Sequence, residues 1–197
     1  MKLLNEFKAE WERKNKLHHV ITQNVDQLHF KAGSSKVIEL HGTNAIVQCL
    51  NCNYTTSRFS FQNVLVEKNP NLAKRPPEET LRPDGDVDLT EEDVNNFVLP
   101  DCPKCKTKML KPRIVFFGDS VPKDRIETCK CLVTESDSIL VIGSSLQVLS
   151  GYRLLLQAKE ERKRICIINI GPTRADHLAD LKISTKAGNI MTKIKIY

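Results

Sequence analysis

The sequence predicts an α/β fold: a parallel sheet with helices on both faces, interrupted by a small metal-held insert. Three observations predict it. Short apolar, β-branched runs after residue 110 alternate with helical segments, and continuous apolar strands of this kind belong to parallel sheets buried on both faces. Two C-x-x-C pairs, Cys49 with Cys52 and Cys102 with Cys105, lie in a stretch rich in Asn, Pro and acids. Polar or glycine-containing turns close the apolar runs: Gln23-Asn24-Val25-Asp26, Gly118-Asp119, Gly143-Ser144-Ser145 and Asn169-Ile170-Gly171. In an open parallel sheet, ligands bind at the carboxyl ends of the strands, so the convergence of these turns predicts a site.

The elements follow in order. Leu3, Leu4, Phe7 and Trp11 recur at spacings of three and four, which predicts a helix over 3–13. The run from His18 to Thr22 is short and β-branched and reads as a buried strand. Residues 43–110 form the insert. Within it, Pro70, Pro76, Pro77 and Pro83, with Asp84-Gly85-Asp86, predict irregular structure between Asn69 and Val87. Ile114 to Phe117 reads as a strand ending at Gly118. A helix over 123–134 leads to a strand over 138–142, a helix over 151–161 and a strand over 165–170. The organisation is therefore a sheet-forming part over 1–42, the insert over 43–110, and the sheet continued over 111–197.

Bulk composition excludes several classes. The chain has 197 residues, enough for one medium domain with a small insert. It is 40% hydrophobic and 27% charged, as in ordinary globular proteins. No apolar run approaches the ~20 residues that span a bilayer, so no membrane partner is expected. The first sixteen residues contain Glu6, Glu10 and Glu12 and no apolar stretch, unlike a secretory signal or a transit peptide. Net charge is +6, but the basic residues are scattered. The densest run, Lys159 to Arg164, includes Glu160 and Glu161 and reads as a solvated helix end, so no nucleic-acid partner is expected. Seven cysteines, an odd number, with no signal peptide, fit a reducing compartment better than a disulfide framework.

The two C-x-x-C pairs are separated by 49 residues, Asn53 to Asp101. Each pair puts two sulfurs on one tight turn, and two such turns complete the four-thiolate set of a structural zinc ribbon. With all four positions taken by sulfur, no open position remains for water, so the expected zinc is structural. His18, His19 and His177 read as exposed or hydrogen-bonded histidines rather than ligands.

The stretch Thr22-Gln23-Asn24-Val25-Asp26-Gln27-Leu28-His29, then Ala32-Gly33, then Glu39-Leu40-His41-Gly42 and the first C-x-x-C, closely resembles the core of the sirtuin family. The second C-x-x-C, Lys111-Pro112 with Ile114 to Asp119, Gly143 to Val148, and Asn169-Ile170-Gly171 follow in the family's order. The resemblance covers nearly the whole chain, and FFGDSVP, GSSLQVLSGYR and INIGPTRAD are most like the mitochondrial class II, sirtuin 4 type.

The resemblance implies a Rossmann-like sheet, an NAD-dependent protein lysine deacylase with acyl-lysine proteins as substrates, and a mitochondrial matrix location. ADP-ribosyl transfer is a further activity within its scope. In the family, the acyl oxygen of the substrate attacks the nicotinamide ribose and expels nicotinamide. A histidine then acts as general base on a ribose hydroxyl, and the products are free lysine, nicotinamide and O-acyl-ADP-ribose. His41 matches that histidine, and an imidazole titrating near neutrality suits the task. Gln23, Asn24, Val25 and Asp26 match positions around the nicotinamide and its ribose. Gly143, Ser144 and Ser145, with Asn169, Ile170 and Gly171, match turns on the adenosine side, and Ala187 stands where class II members can carry a cysteine near the adenine. Val115, Phe116, Phe117 and Gly118 match the strand lining the acyl-lysine tunnel, where the family's peptide adds as a strand. His29 also matches a family position, and its expected role is structural. Arg113 stands where the family often has an acid.

One family landmark has no counterpart. Sirtuins open with a strand and a G-A-G-x-S loop that receives the pyrophosphate, whereas the first glycine here is Gly33 and no G-x-G occurs. The expectation is a sheet without that first strand and loop. The rival reading is a catalytically impaired fragment that acts only through protein contacts. A third, a zinc-ribbon nucleic-acid binder, requires stacking aromatics and clustered cations around the cysteines, whereas between Cys49 and Cys105 the aromatics are only Tyr54, Phe59, Phe61 and Phe97 and acids are numerous.

Overall fold

A computed structural model describes residues 2–73, 89–191 and 193–194. Helix α1 (Lys2–Arg13) leads into strand β1 (Val20–Thr22), helix α2 (Leu28–Lys31) and strand β2 (Val37–Glu39). Strands β3 (Gly42–Cys49) and β4 (Thr55–Ser57) precede helices α3 (Arg58–Lys68), α4 (Pro70–Ala73) and α5 (Glu91–Asn96). Strand β5 (Leu110–Ile114) is followed by α6 (Lys123–Glu135), β6 (Ser138–Ile142), α7 (Leu149–Glu160), β7 (Arg164–Ile168), β8 (Leu181–Ile183) and α8 (Ala187–Met191). The chain divides into two compact units, one formed by Met1–Thr43 and Ile114–Tyr197, the other by Asn44–Arg113.

The first unit carries the predicted α/β fold. Strands β6, β7 and β8 pair in parallel in that order, with Ile139 opposite Ile165 and Val141 opposite Ile167. Ile165, Ile167 and Ile168 are at most 1% exposed, and complete burial of such a side chain stabilises by about 1.5–3 kcal/mol. Helices α6 and α7 supply Cys129, Val133, Leu154, Leu155 and Ala158 to the same core. Leu154, Leu155 and Ala158 recur at spacings of three and four, so one stripe of α7 faces inward. A second parallel pair joins β1 to β2, with Thr22 opposite Glu39.

The second unit is small. Strands β4, β3 and β5 form its sheet, with β3 central. Its core holds Val47, Phe61 and Leu110 together with Cys49 and Cys102. Helix α5 begins with a capping box in which the Thr90 hydroxyl accepts from the Asp93 N–H and the Asp93 carboxylate accepts from the Thr90 N–H, satisfying two end donors.

Two expectations need correction. The strand expected over Ile114–Phe117 lies earlier, at Leu110–Ile114. Pro112 is tolerated there because β5 is an edge strand. Past Ile114 the chain turns: the Phe116 N–H donates to the Asp119 carboxylate, Gly118 takes φ 90°, and Phe117 is 99% exposed. Irregular structure was also expected from Asn69 onward. Instead, Pro70 opens α4, a position where its fixed φ suits a helix and its missing N–H costs nothing. Residues 74–88, with Pro76, Pro77, Pro83 and Asp84-Gly85-Asp86, lie outside the described residues.

Candidate active site and metal centre

Register brings the central residues together. The β1–β2 pairing runs Val20 to Val37, Ile21 to Ile38 and Thr22 to Glu39, and the Leu40 N–H continues it by donating to the Thr22 carbonyl at 2.8 Å. One step further, Gln23 and His41 emerge side by side at the carboxyl ends of their strands. The Val115 N–H then donates to the His41 carbonyl at 2.8 Å, which anchors the Val115–Gly118 turn beside the histidine.

These residues line one cavity of about 1260 Å³. Gln23, Asn24, Val25 and His41 share it with Val115, Phe116, Phe117 and Gly118, so eight of the residues singled out in the sequence meet there. The wall opposite is helical and was not foreseen: Ser150 and Arg153 of α7 and Ile126 and Cys129 of α6 also line it. Ser150 contacts His41 across 109 residues of sequence, a separation at which no local pattern signals a contact.

His41 is half-buried. Burial pushes its pKa below the ordinary 6.5, a backbone hydrogen bond with Gln23 works against that shift, and the Arg125 guanidinium adds to it. Arg125 is fixed by donating to the Leu40 carbonyl at 3.2 Å. The net shift is downward and favours the neutral imidazole, the form that can accept a proton. Nε2 of His41 lies 2.8 Å from the Ser150 hydroxyl oxygen.

Gly151 is buried in α7, where glycine costs about 1 kcal/mol relative to alanine. The cost has a reason. A Cβ at this position would stand 2.0 Å from Gln23 Nε2 and 3.3 Å from its Cδ, so the missing side chain makes room for the Gln23 amide. Leu146, at the start of the same segment, holds φ 56° while 4% exposed. Left-handed backbone strains a branched residue. Burial of the Leu146 side chain in the core and donation of its N–H to the Ser144 hydroxyl hold it there.

The remaining residues expected around the cofactor lie outside this cavity. Asp26 is exposed and accepts from the Leu28 N–H at 2.9 Å, opening α2. Gly143, Ser144 and Ser145 follow β6, Asn169, Ile170 and Gly171 follow β7, and Ala187 begins α8. The turns are linked by backbone bonds, Gly143 N–H to Ile168 O at 2.9 Å and Asn169 N–H to Ile183 O at 3.2 Å. Gly143, at φ 63°, needs the freedom of glycine to leave the strand. The Lys182 ammonium donates to the Gly171 carbonyl and to Asp176, whose carboxyl is held down to about 2 by that bond and by Thr173. His29 is buried, consistent with a structural part.

In the second unit the four cysteines converge. All four Sγ atoms lie within 4.8 Å of one another. Cys49 and Cys105 are 3.6 Å apart and Cys52 and Cys102 are 3.7 Å apart. Tetrahedral zinc with ~2.3 Å metal–sulfur bonds needs sulfurs ~3.8 Å apart, whereas a disulfide needs ~2.05 Å. The donor set therefore fits one structural zinc ion. Each pair sits on the same kind of turn: the Cys49 N–H donates to Tyr54 O, and the Cys102 N–H to Thr107 O. The Asn51 N–H and the Thr107 hydroxyl approach the sulfurs, as thiolates require. His18 and His177 instead contact Glu135 and Tyr152.

A parallel-sheet α/β unit with a half-buried histidine at its strand ends, and a second unit with a four-cysteine site that fits zinc, define a class of protein that matches known proteins. The Sir2 family profile matches residues 2–150, and the chain belongs to that family. It is 49% identical over 186 residues to "NAD-dependent protein deacylase Sirt4" of Drosophila melanogaster, covering 94% of this chain and 59% of that one. It is 47% identical to the human "NAD-dependent protein lipoamidase sirtuin-4, mitochondrial", covering 94% and 58%. The chain thus spans about three fifths of the length of these relatives. Among solved structures, "Sir2-p53 peptide-NAD+" superposes with TM-score 0.76 at 28% identity, covering 97% of this chain and 67% of that one. "Structural Basis for the Mechanism and Regulation of Sir2 Enzymes" superposes with TM-score 0.72 at 33% identity, covering 96% and 65%.

Proposed function

We propose that this chain is an NAD-dependent protein lysine deacylase that acts in mitochondria on acyl-lysine side chains. The observation that carries the reading is the neutral, half-buried His41 placed beside Gln23 and Asn24 at the mouth of two parallel strands, in one cavity with the Val115–Gly118 turn. The relatives' names, which include NAD-dependent deacylases and a mitochondrial lipoamidase, and the acetylated and propionylated peptides bound in related structures, support it.

When bound, NAD would supply a ribose carbon to which the acyl oxygen can bond as the glycosidic bond to nicotinamide breaks. The residues of the chain do the rest. The Gln23 and Asn24 amides offer donors and an acceptor suited to a carboxamide and hydroxyls. Val115, Phe116 and Phe117 present an apolar wall to the acyl-lysine chain. His41, whose partial burial favours the neutral imidazole, takes a proton from a hydroxyl brought to Nε2. Asp26 serves the nicotinamide ribose, and the Gly143–Ser145 and Asn169–Gly171 turns, with Ala187, bind the adenosine side of the dinucleotide, with small residues allowing close backbone approach.

The test is an assay with NAD and a panel of acyl-lysine peptides, on the parent chain and on His41→Ala. The expected result is peptide-dependent nicotinamide release and deacylated lysine from the parent, with deacylation lost in the variant. A folded, zinc-loaded chain that releases no nicotinamide with any peptide would overturn the proposal.

A further inference from the structure

We propose that Ser150 is a positioning residue for the general base: its hydroxyl holds Nε2 of His41 toward the cavity and yields that place to the substrate hydroxyl. The inference deepens the deacylase reading above and rests on it.

Three observations carry it. The first is distance and direction. The Ser150 hydroxyl lies 2.8 Å from His41 Nε2, within the range a proton abstraction needs. His41 also makes a backbone hydrogen bond with Gln23 that favours its charged form, as donation from a ring N–H to a carbonyl does. With Nε2 occupied by Ser150, Nδ1 is the nitrogen that serves Gln23. Nε2 is then the basic nitrogen, and the Ser150 hydroxyl is its donor. A hydroxyl at this position stands where a substrate hydroxyl must come to lose its proton.

The second observation is what Ser150 does not do. It sits in the first turn of α7, where serine hydroxyls ordinarily bond the local backbone. The N-cap of this helix, Val148, makes no side-chain cap bond, so no side chain at that position serves the first-turn N–H groups, which lack intrahelical partners. The hydroxyl nevertheless turns to a histidine on another element. The third is its neighbour. Gly151 leaves the space that the Gln23 amide fills, so consecutive residues of one helical turn hold two adjoining members of the site. A rigid helix end thereby sets the ring plane of His41 and the place of Gln23 together.

The experiment compares the parent chain with Ser150→Ala and Ser150→Thr. Steady-state kinetics are measured with NAD and an acyl-lysine peptide, and the imidazole ¹⁵N resonances of His41 are recorded for each protein. The alanine variant should lose about tenfold in kcat, because its ring is no longer held in the productive orientation before the substrate hydroxyl arrives, with KM for NAD and for peptide little changed. Its Nε2 resonance should move toward that of a nitrogen with no donor. The threonine variant, which keeps the hydroxyl, should retain both properties of the parent. An alanine variant with parental kcat and an unmoved Nε2 resonance would overturn the inference. If the parent chain turns over no peptide, the deacylase reading fails, and the resonance alone decides: displacement in Ser150→Ala upholds the hydroxyl's hold on the ring, and no displacement refutes it.

Discussion

Replacing Gly151 with alanine sets two effects against each other. Helix propensity favours the change by about 1 kcal/mol, because glycine in a helix interior is costly. The geometry opposes it, because the new Cβ would stand 2.0 Å from Gln23 Nε2 and 3.3 Å from Gln23 Cδ. The amide is the far end of a flexible side chain, so it can swing away at small cost to folding. Leu146 Cδ2, at 3.7 Å, is in ordinary contact and need not move. The two effects therefore separate by property. Thermal stability should stay level or rise by up to a few degrees, since ~1 kcal/mol corresponds to ~2–4 °C in a chain of this size. Turnover should fall by about 10- to 100-fold, because displacing a positioning group by an ångström costs that much. Thermal melts and steady-state kinetics on Gly151→Ala measure the two. A variant that is both more stable and fully active would refute the argument that the glycine exists to admit Gln23.

Other expectations follow from the same structure. His41 must be neutral to accept a proton and its pKa is pushed below 6.5 by burial, so activity should fall on acidification only below the ordinary histidine range. A kcat/KM profile, which reports the free enzyme, with its acid limb at or above 6.5 would contradict this. Removing zinc with a strong chelator, or Cys102→Ser at a fully buried ligand, should unfold the Asn44–Arg113 unit, since among its described residues the buried core outside the ligands is Val47, Phe61 and Leu110, with Tyr54, Leu65 and Leu99 partly buried against it. Loss of protection there by hydrogen exchange, with one zinc per parent chain by elemental analysis, checks it. Asp176 has its carboxyl depressed to about 2 by Lys182 and Thr173. Its contribution to stability is present above its ordinary value near 3.8 and is lost as pH falls toward 2. Asp176→Asn should remove that part of the acid dependence, as followed by thermal melts from pH 5 downward.

The sequence shows much of this fold because buried parallel strands are continuous apolar runs. Ser138–Ile142 and Ile165–Ile168 could hardly be anything else. Strand β8, Leu181-Lys182-Ile183, is three residues with a lysine at its centre, too short to carry a pattern. Strand β5 was misplaced because Pro112 argues against a strand while Ile114-Val115-Phe116-Phe117 argues for one. The edge position reverses the first argument, and the turn closed by Asp119 reverses the second. The cysteine spacing announced a metal site directly, because the chemistry of four thiolates is local to two turns. His41 was legible only through the motif around it, since a histidine before a glycine says nothing alone. Ser150 was not legible as a partner of His41, because only the folded chain brings α7 beside the residues that follow β1 and β2.

The most direct test follows the acyl group itself. A peptide carrying a ¹³C-labelled acyl-lysine is incubated with NAD and the chain, and the label is traced by mass spectrometry. Transfer chemistry at the His41 site predicts that the label leaves lysine onto ADP-ribose, in step with nicotinamide release. Label recovered only as the free carboxylate from the earliest time points, or deacylation that proceeds without NAD, would contradict the account.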